Sequence, residues 1–379
     1  MKLALLFTAI AAATLAGCGG TTTTTSTPTL TPRPTPTSGL HAPLEWSVVP
    51  SRSRSSAGRL SSVTCVSTTD CWAVGSVDAR GATLIEQWNG SAWNILAAPS
   101  LSGISKLYSV TCVSAPDCWA VGNTGNDTLV EHWNGDTWSV LTYPSPSSSD
   151  PYSLYSVTCV LASDCWAIGH NDRHALIEQW NGSTWKGVAS PPTSSVDQLN
   201  GVACASVANC WAVGESLPSG SNYQSSHTLT EHWNGSRWTV APSPSPSRGS
   251  MLYSVTCVLS SDCWAVGESV SSALPLIEQW NGSAWSVVPS SSLSDASALS
   301  GVTCASTSDC WAVGNGTNSG PLLEEWNGST WSVMSSPSPS VNKQISSVTC
   351  VSASDCWAVG MAVNTDANGV TLIEHGTQP

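Results

Sequence analysis

The chain has 379 residues, only 10% of them charged, and a formal net charge of −13 from 12 basic against 25 acidic side chains. An acidic chain so poor in lysine and arginine is ill suited to grip a phosphate backbone, which argues against nucleic acid as a partner. Serine, threonine, glycine, valine and tryptophan dominate, a composition that suits tightly turned β-structure.

Residues 1–17 read as a signal peptide. Met1-Lys2 is a short positive start, an apolar run follows over 3–14, and Leu15-Ala16-Gly17-Cys18 ends it. The run is too short to span a bilayer. Its last four residues resemble the bacterial lipobox. That resemblance implies cleavage before Cys18 and a diacylglycerol on its sulfur; the alternative is ordinary secretion with a spare thiol. Residues 18–43 form a Thr/Pro-rich stalk, TTTTTSTPTLTPRPTPTSG at its centre. Such segments favour extended polyproline II at about 3.1 Å per residue.

Residues 44–379 hold one unit of roughly 45–53 residues repeated seven times, and a period of this size signals a solenoid, propeller or array. The first cysteine of each copy is Cys65, Cys112, Cys159, Cys204, Cys257, Cys304 and Cys350. In the first copy, 61–66 and 71–76 are predicted strands around a turn at 67–70. A polar loop leads to a third strand at 83–88. Asn89-Gly90 predicts a type I′ hairpin into a fourth strand at 92–97. Four antiparallel strands per unit make the blade of a β-propeller. The last copy stops at Leu372-Ile373-Glu374-His375, and the missing segment stands at the other end as Glu45-Trp46-Ser47-Val48-Val49-Pro50. The expected fold is therefore all-β, a seven-bladed ring closed by residues 46–49 completing the last blade.

Each unit carries a tryptophan on strand two (Trp72), one closing strand three (Trp88) and one on strand four (Trp93). The total is 20, because His375-Gly376 replaces the strand-three ring of the last blade. Rings repeated in every blade are expected to pack between blades. Fourteen of the 15 cysteines form seven C-x5-C pairs: Cys65/Cys71, Cys112/Cys118, Cys159/Cys165, Cys204/Cys210, Cys257/Cys263, Cys304/Cys310 and Cys350/Cys356. Behind a signal peptide these read as disulfides across a short hairpin. Zinc would need two pairs to converge, so no metal and no cofactor is expected. The Asp before the second cysteine, Asn209 in one copy, suits a side-chain-to-backbone turn.

Loops joining strands two and three, and those linking blades, are expected to share one variable face, where binding residues concentrate. Blade three carries His170, Asp172, Arg173 and His174 there, and blade four the long 215–227 with Tyr223. One position just before the Ser-Val of strand one reads Ser61, Tyr108, Tyr155, Asn200, Tyr253, Ser300 and Ser346. Tyr108, Tyr155 and Tyr253 could stack on a sugar or anchor a protein; the alternative is packing beneath neighbouring loops. Tyr108, Tyr155, Tyr253, Tyr223, His170, Arg173 and His174 are the candidate binding residues. The strand-three glutamates (Glu86, Glu131, Glu178, Glu231, Glu278, Glu324, Glu374) are spread around the ring. They read as a repeated hydrogen bond inside each blade rather than a catalytic pair.

The order CWAVG…LIEQWNGSxW…SVTCV…DCWAVG resembles the repeat of photosystem II stability/assembly factor-like propellers. It also resembles Asp-box (BNR, neuraminidase-type) repeats, with Asn89-Gly90-Ser91-Ala92-Trp93 where that family has Asp-Gly-Gly-x-Thr-Trp. Both resemblances are of repeat pattern over 46–375 and imply the propeller fold. The arginine triad and Tyr/Glu pair of sialidases have no corresponding motif, and fold does not carry function. The expected function is a surface-anchored, non-catalytic binding module for an extracellular protein or glycan. The alternative is a secreted carbohydrate-active enzyme, a glycoside hydrolase or lyase, with its site in the central channel. The expected location is the bacterial cell envelope, lipid-anchored through Cys18 and facing the exterior or periplasm, and the chain is expected to be monomeric.

Overall fold

The computed structural model describes residues 43–51, 58–77, 81–141, 152–171, 174–193, 195–270, 272, 274–291, 297–316, 320–337, 342–363 and 369–378. Cys18, the stalk, Asp172 and Arg173 lie outside them. The unit 41–379 consists of seven four-stranded antiparallel sheets. Blade one runs Gly58–Ser67, Asp70–Val77, Ala82–Trp88 and Trp93–Ile95, and each strand pairs with the next in sequence. Alternation explains the register. In strand two the run Cys71 to Val74 is buried on both faces, because blades pack against it from either side.

The connection from strand three to four differs from the expected type I′ turn. Trp88 pairs with Trp93, leaving a four-residue loop. The Asn89 side-chain oxygen accepts from the Ser91 and Ala92 amides at 3.1 and 3.0 Å, and Gly90 takes φ 87°. The asparagine itself organises the turn, so only one residue needs the left-handed region. Asn134, Asn181, Asn234, Asn281 and Asn327 repeat the same capture.

The ring closes as the split repeat predicts. Glu45–Val48 pairs antiparallel with Gly369–Thr377, Trp46 opposite Gly376. Val49 adds a bond to the Ile373 carbonyl at 2.9 Å. The seventh sheet thus holds both ends of the propeller.

The core lies between blades. Trp72 of blade one is fully buried against Trp133 and Trp138 of blade two, at centroid distances of 5.0 and 5.4 Å. Trp72, Val74 and Ile85 form one cluster with Leu107, Val110, Leu129 and Trp138. The pattern recurs around the ring, and Trp46 takes the strand-four role against Trp311 at 5.2 Å. The strand-three rings also donate to the strand one–two turn, Trp88 Nε1 to Thr68 O at 3.2 Å.

All seven predicted disulfides are present: Cys65–Cys71, Cys112–Cys118, Cys159–Cys165, Cys204–Cys210, Cys257–Cys263, Cys304–Cys310 and Cys350–Cys356, with Cα atoms 3.9–4.0 Å apart. Their setting adds to the picture of a bridge across a short hairpin. The second cysteine of every pair (Cys71, Cys118, Cys165, Cys210, Cys263, Cys310 and Cys356) is fully buried. Each lies in a different one of the seven clusters between blades. The cause is position: this residue opens strand two, the strand that blades cover on both faces. Each disulfide therefore anchors a half-buried cysteine of strand one to the core between blades.

The neighbouring aspartates also behave otherwise than expected. Asp70 accepts from Gln87 Nε2 at 3.0 Å, as Asp164 does from Gln179. In blades two and seven a histidine replaces glutamine, His132 with Asp117 at 2.9 Å and His375 with Asp355 at 2.8 Å. These carboxylates tie the turn to strand three.

The strand-three glutamates are fully buried, and their bonds run between blades instead of within them. At five of the seven junctions a serine five residues past the strand-four tryptophan of one blade reaches the glutamate of the next. Ser51 donates to Glu86 at 2.7 Å, Ser190 to Glu231 and Ser243 to Glu278 at 2.8 Å, Ser290 to Glu324 at 2.5 Å and Ser336 to Glu374 at 3.1 Å. Burial pushes Glu86 and Glu231 up to about 7 and Glu278 up to about 8; the serine bond draws each back down. Hydroxyl donors suit this site because they serve a carboxyl group in either protonation state.

Candidate binding site at the channel mouth

In every blade the register of strand one against strand two slips by one residue, between Leu60 and Ser62 in blade one and at the equivalent places elsewhere. The extra residue of such a bulge is unpaired and re-aims its side chain. Here it is Ser61, Tyr108, Tyr155, Asn200, Tyr253, Ser300 or Ser346. The glycine ending CWAVG permits the bulge: a Cβ on Gly75 would lie 1.9 Å from the Arg59 carbonyl oxygen, and Gly169 and Gly267 meet Ser153 and Met251 in the same way. The bulge residues and their successors converge on one central pocket of about 120 Å³.

The wall beneath is uniform. Ser62 accepts from the Val110 amide of the next blade at 3.3 Å, Ser109 from Val157 and Ser156 from Val202 at 3.2 Å, Ser254 from Val302 at 3.3 Å, and Ser347 from Val63 at 3.4 Å. Gly201 and Gly301 stand in the remaining two places, and a Cβ there would come within 2.9 Å of Ser254 Cα and 3.1 Å of Ser347 Cα. The preceding residue takes over the bridging. Asn200 donates to Leu252 O at 2.9 Å and Ser300 to Ile345 O at 3.1 Å.

The mouth above is uneven. Tyr108 meets Tyr155 edge-on at 5.3 Å, and Tyr155 stacks on His170 at 5.3 Å and 15°. Blades two and three thus present a continuous aromatic ledge. In blade five the Tyr253 hydroxyl donates to Glu268 Oε1 at 2.5 Å and lies 2.9 Å from Met251 Sδ. Burial, the bond to Glu268 and the charges of Glu268 and Glu215 all raise the Tyr253 pKa. Its phenol stays protonated and acts as a donor. Glu215, only 5% exposed, is itself raised by burial, lowered by a bond from Ser226 and raised again by the charge of Glu268. Tyr108 is raised by burial and lowered by the nearby Arg59 charge.

Tyr108, Tyr155 and Tyr253 are therefore brought together in the channel wall at the bulge, and His170 on strand two stacks on Tyr155 beside them. His174 begins strand three of its blade on the exposed surface, away from the channel lining. Tyr223 opens a short 3-10 turn, Tyr223–Ser225. Glu215 and Glu268 are not among the sequence candidates. The signal for them is the position after the invariant glycine of strand two, which reads Ser76, Asn123, His170, Glu215, Glu268, Asn315 and Met361. Among the described residues no cluster of three or more His, Cys, Asp or Glu could hold a metal ion.

No protein-family model matches the chain, and no curated protein matches it. Among solved structures, it is similar to a mutant of the Aleuria aurantia lectin in complex with Fucalpha1-6GlcNAc. Identity is 11% and the TM-score 0.49, over 75% of this chain and 97% of that one. A likeness at this level does not extend to the ligand. The resemblance to photosystem II assembly factor-like and Asp-box repeats remains one of pattern within a seven-bladed fold.

Proposed function

We propose that the propeller is a non-catalytic binding module, held at the cell surface by a lipid on Cys18, that takes an extracellular glycan at the channel mouth. The observation that carries this reading is the ledge Tyr108–Tyr155–His170 on the same rim as the polar group Tyr253–Glu268. Flat rings give a sugar its stacking surface, and fixed donors and acceptors orient its hydroxyls. The cavity of about 120 Å³ is well below the ~300–1,000 Å³ of sites that enclose small ligands. A ligand would therefore sit across the mouth with one group entering. Seven disulfides accord with folding in an oxidising compartment outside the cytosol.

The alternative, a hydrolase or lyase working in the channel, has less support. Glu268 already accepts from Tyr253, and a phenol whose pKa is raised makes a poor nucleophile. The test is a glycan and peptidoglycan-fragment array probed with the soluble propeller, beside a Tyr108→Ala/Tyr155→Ala/Tyr253→Ala variant of equal melting temperature. Binding that disappears in the variant supports the reading. Release of reducing ends from a bound glycan would overturn the non-catalytic part. Binding that survives the variant would move the site, and a blank array would direct the search to a protein partner.

A further inference from the structure

The charged side chains around the mouth are sorted by sign. In each blade one register pair lies next to Leu60–Gly75 or its equivalent, on the side away from the strand one–two turn. In blade one this pair is Arg59–Ser76 and in blade two Lys106–Asn123, so blades one and two bring exposed cations. In blade four it is Gln198–Glu215 and in blade five Met251–Glu268, so blades four and five bring carboxyl groups. Blade three has Ser153–His170 between them, and the pairs of blades six and seven are uncharged. Along the rim, the ledge of Tyr108, Tyr155 and His170 therefore runs from the cations towards the carboxyl groups.

The acidic pole is built into the wall. Glu215 is 5% exposed, and its Oε2 has no partner among the described residues. Glu268 accepts from Tyr253 with one oxygen and, being half-buried, leaves the other to water. Tyr253 lines the channel. Burial raises its pKa, and the bond to Glu268 and the charges of both glutamates raise it further. On the other side burial raises Tyr108 while the Arg59 charge lowers it. Neither glutamate has an ion pair among the described residues. Two like charges held close in a partly dry wall favour a bound cation. A ligand with charge of one sign satisfies one pole and leaves the other unanswered.

We propose that the mouth selects a zwitterionic glycan, a saccharide with an ammonium on one sugar and a carboxylate on the next; this rests on the glycan reading above. The sugar faces lie on Tyr108 and Tyr155. The ammonium donates to Glu268, with the charge of Glu215 behind it, and the carboxylate pairs with Arg59 and Lys106.

Four disaccharides of one linkage, titrated into the protein by calorimetry, test this. Glucosaminyl-N-acetylmuramic acid carries both charges, and N-acetylglucosaminyl-N-acetylmuramic acid the carboxylate alone. Glucosaminyl-N-acetylglucosamine carries the ammonium alone, and diacetylchitobiose neither. The zwitterion should bind at least about tenfold more tightly than either singly charged sugar, the equivalent of one charge-assisted hydrogen bond. Glu268→Gln keeps an acceptor for Tyr253 and should bring the zwitterion down to the sugar with the carboxylate alone. Arg59→Gln with Lys106→Gln should bring it down to the sugar with the ammonium alone. Equal binding of all four, lost in the Tyr108→Ala/Tyr155→Ala/Tyr253→Ala variant, would overturn the charge selection and leave the glycan reading in place. A preference unmoved by either charge variant would also overturn the proposal. So would no binding of any of the four, whatever other glycan the array finds. Because the four sugars are compared on the unsubstituted protein, the test does not depend on a variant folding.

Discussion

Trp46 lies directly over Gly376: a Cβ on that glycine would come within 2.8 Å of the indole Cε2. In the other six blades a tryptophan stands where Gly376 stands, and the fourth strand brings its own ring beside it. In blade seven one ring from the N-terminal segment fills the space, and the smallest residue makes room for it.

Closure should therefore dominate stability. Deleting residues 44–50 should lower the melting temperature far more than deleting 18–43, because only the former opens a sheet edge and exposes Trp311. Trp46→Ala should cost about 3 kcal/mol. Equal melting curves for the two deletions would contradict this account.

Stability should fall as pH rises through neutrality. Glu86, Glu131 and Glu231 are raised to about 7, and Glu178 and Glu278 to about 8, from an ordinary 4.5. Burial is the main cause in each. The folded chain then keeps protons that the unfolded chain has already released. Each group contributes stability that is complete below about 4.5 and is lost as pH passes 7–8. Denaturant midpoints should be higher at pH 5 than at pH 8.5, and Glu278→Gln should flatten that slope.

The Ser243–Glu278 bond is a fair measure of one junction. Ser243→Ala leaves a buried acceptor unpaired and should cost about 1–3 kcal/mol. In a double-mutant cycle with Glu278→Gln the two losses should fall short of adding. Additive losses would mean that the hydroxyl acts elsewhere.

Gly267→Ala tests the bulge. Its Cβ would lie 2.0 Å from the Met251 carbonyl oxygen, so the strand must shift. Tyr253, the extra residue of that bulge, should lose its bond to Glu268, and the variant should be destabilised by about 3 kcal/mol or more. Near-ultraviolet circular dichroism and chemical denaturation report both effects.

Removing one staple, as Cys257→Ser with Cys263→Ser, should cost about 2 kcal/mol from the short closed loop alone. Burial of the Cys263 position adds to that loss, because a serine hydroxyl there must find a partner. Cys257→Ala with Cys263→Ala should therefore be the milder variant. The remaining six bridges should keep the ring assembled in both.

The blades, their number, the closing strand and the disulfides are all legible in the sequence, because each repeats with a fixed spacing and residue type. The burial of Cys118, Cys165 or Cys356 is less so, since it depends on the neighbouring blade and not on the hairpin that holds the bridge. The tyrosines are legible as odd residues at a repeated place. Their setting at a bulge is not, since the glycine that admits it reads equally well as a turn. The bonds from Ser51, Ser190 and Ser243 are hidden for another reason. Their partners lie 35 to 41 residues away in the next blade, and the serines sit in Pro/Ser tails that resemble plain linkers. Glu215 and Glu268 escape notice because their position, after the strand-two glycine, varies over five residue types in seven blades and sits at the start of variable loops.

The bulge in strand one separates two jobs that most strands must combine. Its neighbours Leu60 and Ser62 hold register and core, while the residue between them has no ladder bond to keep and no core to fill. Seven such places around one opening amount to a seven-character label written on an unchanging page. Apart from Asn200 and Ser300, which also bridge to the next blade, a character can be rewritten without renegotiating the sheet, so one scaffold can present a great many mouths to its surroundings.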